Sequence, residues 1–299
     1  GPTWLTLFEI GLGAILVGFV LSRFRWRDSA CLALAGLSTT GLVLLDVLLG
    51  SPLLRRSLLG YSPVFGARFY GLGNEYLGVV LGAVVLGGAA LLDLRRRGIR
   101  SALAVLFLAT TLIIALPRFG ANVGGGISAF LGLGYTYLLL IGRRVGWRET
   151  GGLVIGVLGL VGLLILCDLW GARGHLTHLG QTALRAHREG LGMLMVIVAG
   201  KLAMNWRILS YTSWTWVMLG VLLLAPVAFV HPPRWLAGLF PAGHPLAAAI
   251  RGLLVTAGVG LLVNDSGVVV AATILIYIGV ALVYLVRSER AEAREVAIS

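Results

Sequence analysis

Apolar runs long enough to cross a membrane follow one another along this chain with little between them. Eight cover residues 4–21, 30–49, 75–92, 101–116, 127–142, 152–170, 191–204 and 211–230. A last apolar region, 245–286, is interrupted by Asn264, Asp265, Ser266 and Gly267. A hydrocarbon core ~30 Å thick needs about 20 apolar residues per helix. The pattern predicts an all-α, polytopic transmembrane bundle of about nine spans, within a range of about eight to ten. A re-entrant or broken helix is expected near Asn264–Gly267. No long polar linker divides the runs, so residues 1–299 read as a single integral membrane domain.

Composition agrees with this pattern. The 299 residues are 58% hydrophobic and 12% charged, where soluble domains hold roughly half apolar and a quarter charged residues. The formal charge of +12 does not signal nucleic acid, because the arginines form short strips between apolar runs. Arg23, Arg25 and Arg27 make one strip, Arg95, Arg96, Arg97 and Arg100 a second, and Arg143, Arg144 and Arg148 a third. Such strips mark cytoplasmic loops. Placing them in the cytoplasm together with 201–207 lets the first eight spans alternate, with the N-terminus outside. Segments 50–74, 117–126, 171–190 and 231–244 then face outward. If 245–263 crosses fully, 264–267 becomes a cytoplasmic turn and the tail with Arg287, Arg290 and Arg294 ends outside. If that stretch is re-entrant, 264–267 stays near the outer half and the tail is cytoplasmic, which the arginines favour. Gly1-Pro2 is the pair that some tag-cleavage proteases leave, so the chain is expected to be cut from a longer one.

Three polar stretches stand out against the apolar background. In GARFYGLGNEYLG, residues 66–78, Glu75 opens a span and shares a helical face with Gly78 and Gly82. A carboxylate on a small-residue face points at neighbouring helices, and ionisable groups inside membranes are usually functional. The competing reading makes Asn74 a helix N-cap and Glu75 a first-turn carboxylate favoured by the helix dipole. Gly71 and Gly73 are not a dinucleotide fingerprint, since Tyr76 stands where the third glycine belongs.

In PRFGANVGGGISAF, residues 117–130, Gly124, Gly125 and Gly126 lead into a helix whose N-terminus favours an anion. Arg118 would add charge-assisted bonds. The alternative is a flexible outer loop. The third stretch, Asn264-Asp265-Ser266-Gly267, is either the polar centre of a discontinuous helix or a tight turn. With that stretch on the outer side, Arg68, Asn74, Glu75, Arg118, Asn122 and Asp265 converge there, joined by Asp46 near the end of the second run.

Arg68, Arg118, Asn122 and Gly124–Gly126 are therefore nominated as substrate contacts. Asn74, Glu75, Asp265, Ser266 and Asp46 are nominated as ion- or proton-coupling groups. Other positions are less informative. His175, His178 and His187 lie in a segment that also reads as an interfacial helix. Glu9 and Asp168 are lone acids near span ends. Lys201 and Arg207 read as snorkelling cations at a cytoplasmic helix end. Cys31 and Cys167 sit inside apolar runs and suggest no disulfide framework. No H-E-x-x-H, G-x-S-x-G or P-loop occurs, and no cofactor is expected, although the oxygen ligands would suit a cation such as Na⁺ or Mg²⁺.

GARFYGLGNEYLG, FGANVGGG and NDSG, in that order, resemble the C-terminal membrane region of uncharacterised bacterial multi-pass proteins. Some of these carry an alkaline-phosphatase-like domain ahead of it. The resemblance spans nearly the whole chain and implies a bacterial cytoplasmic (inner) membrane location. It also implies a fused or associated extracytoplasmic domain working on phospho-substituted substrates, and it brings no activity for the membrane region itself. Three functions stay open. One is a transporter or flippase for an anionic, phosphate-bearing or lipid-linked substrate. Another is an outer-leaflet enzyme acting on a phospholipid or polyprenyl phosphate, and the third is a membrane anchor for the soluble domain. The expected partners are membrane lipids and the anionic substrate, with no nucleic acid. GLGNEYLGVVLGA and GLLVNDSGVVVAA echo one another, as two halves of an inverted repeat would.

Overall fold

The computed structural model describes residues 3–23, 28–57, 59, 71–94, 98–171, 180–182, 184, 191–210, 213–230 and 243–298. Among them are ten long α-helices and no strand. The helices are α1 (Thr3–Arg23), α2 (Asp28–Leu48), α3 (Asn74–Asp93), α4 (Ile99–Ala115) and α5 (Val123–Leu140). They continue with α6 (Trp147–Gly171), α7 (Leu191–Ser210), α8 (Ser213–Val230), α9 (Pro245–Val263) and α10 (Gly267–Ile298). A single 3₁₀ turn, Leu54–Arg56, follows α2. Six helices, α2, α3, α5, α6, α9 and the Gly267–Ser288 part of α10, are long and apolar enough to cross a membrane. The protein is thus an α-helical membrane bundle. In lipid every backbone polar group must be satisfied within the segment, which is why helices are the answer to such runs.

Helix α3 is the axis of the bundle and packs against α2, α4, α5, α9 and α10. Leu77, Val80, Leu81, Val84, Val85 and Ala89 on it are fully buried. Lipid tails are as apolar as leucine, so helices associate through close packing and not through hydrophobic drive. Glycine supplies the closeness. Gly36 of α2 crosses Gly87 of α3, Gly126 of α5 meets Ala115 of α4, and Gly78 and Gly82 of α3 receive Thr273 and Tyr277 of α10.

Between α5 and α9 the packing is reciprocal: Gly132 faces Thr256, and Gly252 faces Thr136. Each threonine hydroxyl donates back into its own helix, Thr136 to Gly132 O at 2.6 Å and Thr256 to Gly252 O at 2.7 Å. The hydroxyls therefore need no partner across the interface.

These pairings fix the helix directions. Helices α2, α4, α6 and α9 run one way, and α3, α5 and α10 run the other. One end of the bundle carries the exposed arginines Arg100, Arg143, Arg144, Arg148 and Arg287. The opposite end, called the turn end here, holds the starts of α3, α5 and α10 and the close of α9. Arg55, Arg56 and Arg118 are exposed there, so the charge bias is strong without being complete.

Three expectations are corrected. No re-entrant segment is present at 245–267: α9 and α10 are full-length antiparallel helices joined by a tight turn at Asn264, Asp265 and Ser266, with Gly260 packed on Val270. His244 caps α9, its Nδ1 accepting from Leu246 N–H at 3.2 Å, and Pro245 takes the first helical position. The second correction concerns Lys201, which was assigned to the side opposite 117–126. It touches the α9–α10 turn, and that turn touches α5 at its first residues. Counting alternate spans from the arginines fails between 191 and 244, because Lys201 pairs with Asp265 on the turn and does not mark the arginine end. The echo between 71–83 and 260–272 is likewise no inverted repeat, since α3 and α10 are parallel neighbours.

Candidate functional site

The turn end is assembled from the three polar stretches, which meet through backbone and asparagine hydrogen bonds. Gly71 has φ +90°, and a Cβ there would collide with Gly120 O, so glycine is required at this crossing. Leu72 N–H then donates to Gly120 O at 2.9 Å. Asn122 closes the contact from the other side, its Nδ2 donating to Leu72 O at 3.1 Å. Its Oδ1 accepts from Gly125 N–H at 2.7 Å, which makes it the N-cap of α5.

One turn into α5, Ser128 Oγ donates to Gly124 O at 2.8 Å and accepts from Asn264 Nδ2 at 2.9 Å. Asn264 also donates to Gly260 O at 3.0 Å. Gly124 makes room for it: a Cβ there would sit 2.9 Å from Asn264 Oδ1.

Helix α7 completes the ring. Asn205 Nδ2 donates to Leu261 O and Asn264 O, each at 3.0 Å, and its Oδ1 accepts from Gly267 N–H at 3.1 Å. Lys201 Nζ pairs with Asp265 Oδ1 at 3.1 Å and donates to Val263 O at 3.2 Å. The last carbonyls of a helix carry partial negative charge, so two donors from α7 suit the end of α9.

The nominated residues divide. Asn122 is in the network, and Asp265 and Ser266 lie on its rim. Glu75 is half-buried in the first turn of α3, where Gly73 and not Asn74 is the N-cap. It lies one turn before Gly78 on the face that packs on α10, level with the first turn of that helix, and it has no ion pair to a described residue. Asn74 sits beside it, also half-buried. Arg118 is exposed at the same end.

Two of the three glycine amides are already taken: Gly125 N–H is held by Asn122 Oδ1 and Gly126 N–H by Asn122 O at 2.8 Å. Asp46 stands apart. Its two carboxylate oxygens accept from Leu53 N–H and Leu54 N–H, each at 2.9 Å, and so cap the 3₁₀ turn. Asp168, a lone acid near a span end, is buried and accepts from Gly180 N–H at 2.9 Å. Arg68, His175, His178 and His187 lie outside the described residues. Cys31 and Cys167 are free thiols. Among the described residues no three His, Cys, Asp or Glu side chains gather as a metal-holding group.

Lys201, Asn205, Asn264 and Ser128 are the members the sequence reading left out of the site. The signal was there in part. Lys201 and Asn205 are four apart in a mostly apolar helix and so share one face.

Compared with protein-family models, with curated proteins and with solved structures, the chain matches none.

Proposed function

We propose that this protein is a bacterial inner-membrane transporter or flippase for an anionic, phosphate-bearing or lipid-linked substrate, handled at the turn end. The observation that carries the reading is the ring itself. Three polar stretches far apart in sequence are drawn together with Lys201 at one end of an apolar bundle. Polar and ionisable groups are costly inside a membrane and mark substrate or ion pathways. Lys201 and Arg118 would attract the anion, and Glu75 and Asp265 would carry the coupling proton or cation.

The strip of arginines at the opposite end supports a cytoplasmic placement for it, which puts the turn end and the N-terminus outside. Helices α1, α4 and α8 would then raise the crossings to about nine. A fused or associated phosphatase-like domain would sit over the same outer end.

Orientation is tested with single cysteines in a Cys31→Ala, Cys167→Ala background. An impermeant thiol reagent on intact cells is expected to label Ser266→Cys and Arg118→Cys, leaving Arg100→Cys silent. The reverse pattern would turn the protein over and remove the outward-facing site.

Activity is tested in vesicles holding the purified protein and a trace of fluorescent phosphatidylglycerol. Label on the inner leaflet is expected to become reducible by external dithionite faster than in empty vesicles. Asp265→Asn should slow this about tenfold, equivalent to about 1.4 kcal/mol of barrier. Lipid cleavage products in the same vesicles would instead establish the enzyme. Absence of both, with the soluble domain still active, would leave the anchor.

A further inference from the structure

Helix α7 is joined to the bundle unequally along its length, and the joint lies at Lys201 and Asn205. We infer that these two residues form a latch that closes α7 over the α9–α10 turn, with Asn205 as its fixed part and the Lys201–Asp265 pair as the part that opens.

Asn205 is 5% exposed and spends donor and acceptor alike on the turn. It binds where α9's last carbonyls and α10's first amide lack partners within their own helices. Removing it would strand those groups in an apolar interior, so this bond set stays closed.

The ion pair has the opposite character. Lys201 and Asp265 are 36% and 58% exposed, and an exposed pair contributes little and exchanges readily with solvent or another charge. Among the described residues the rest of α7 packs sparsely on the bundle. Met195, Val196, Val198, Leu202, Met204 and Trp206 all face outward, where lipid replaces them at no loss. Among the described apolar side chains of α7 only Leu209 packs on the core, so little described apolar packing resists a swing of α7 about Asn205 once the pair parts. The swing uncovers Ser266 and the first turn of α10. This inference rests on the contacts of α7 alone and holds whatever the substrate is.

The test uses the cysteine-free background with Ser266→Cys, in reconstituted vesicles, and reads the rate of methanethiosulfonate labelling. Lys201→Gln and Asp265→Asn are each expected to raise that rate about threefold to fivefold, the range set by an exposed pair. Lys201→Arg keeps the pair and should stay near the parent rate. The exchanged pair, Lys201→Asp with Asp265→Lys, should return towards the parent. A parallel thermal melt separates the two parts of the latch, since Asn205→Ala should lower the midpoint and the charge variants should not. Unchanged labelling in the single variants, or an exchanged pair that folds yet labels as fast as they do, would overturn the latch. If a single variant does not fold, the exchanged pair decides alone.

Discussion

Replacing Asn122 with alanine is expected to destabilise the protein by about 2–4 kcal/mol. Two losses add. The first is the N-cap of α5, for which removal of an asparagine typically costs about 1 kcal/mol. The second is the bond to Leu72 O, whose carbonyl would be left buried without that donor, at about 1–3 kcal/mol. Both apply because Asn122 is 5% exposed. Asn122→Asp separates the two. It keeps an acceptor for Gly125 N–H, but it turns a donor into a second carboxylate oxygen facing Leu72 O and buries a charge. It should be no better tolerated than alanine. Asn122→Ser keeps a capping oxygen and loses the long reach, and is expected between the parent and alanine. The measurement is the fraction of detergent-solubilised protein that stays monodisperse after heating, taken across temperature. An aspartate variant as stable as the parent would show that the tie to Leu72 is not holding the 71–74 strap against α5.

The fold class was legible because a membrane helix needs only length and apolarity, and the runs announce both. The convergence of the three polar stretches was legible in outline too, since glycines beside asparagine and aspartate are rarely placed at random in an apolar chain. What the residues did there was not. The three glycines before α5 look like an anion cradle until Asn122 is seen to use the amides of Gly125 and Gly126. That signal existed as an asparagine three residues before a glycine at a helix start. Asp46 reads as a lone acid near a helix end, yet its partners are backbone amides of a short turn that no periodicity reveals.

Lys201 was misplaced for a different reason. The rule that lysine and arginine mark the cytoplasm is a bias summed over many residues, and Lys201 is a single lysine paired with Asp265 at the end of α9. Direction failed with it only between 191 and 244: with 264–267 outside and the arginine tail in the cytoplasm, α3 and α10 already run the same way, and what the sequence hides is their contact at Gly78 and Gly82.

Substituting Gly36 should have the largest effect of any residue in α2, while Gly41, five residues later, should tolerate alanine or gain from it. A Cβ on Gly36 would stand 2.6 Å from Ala83 O and 2.8 Å from Gly87 Cα, and one on Gly87 would stand 2.9 Å from Leu37 N. These are backbone atoms, so no rotamer change relieves the clash and α2 must move away from α3. α3 is the main partner of α2, and lipid fills the gap without penalty, so little restores the contact. Alanine there is expected to cost about 1–3 kcal/mol, as overpacking does, and valine more. At Gly41 a Cβ meets nothing within 4 Å, and a glycine inside a helix gives up roughly 0.5–1 kcal/mol relative to alanine. The same heating assay on Gly36→Ala and Gly41→Ala should therefore move in opposite directions from the parent. Equal midpoints for the two would mean that α2 does not cross α3 at Gly36 and Gly87, and the arrangement of helices around α3 would have to be redrawn.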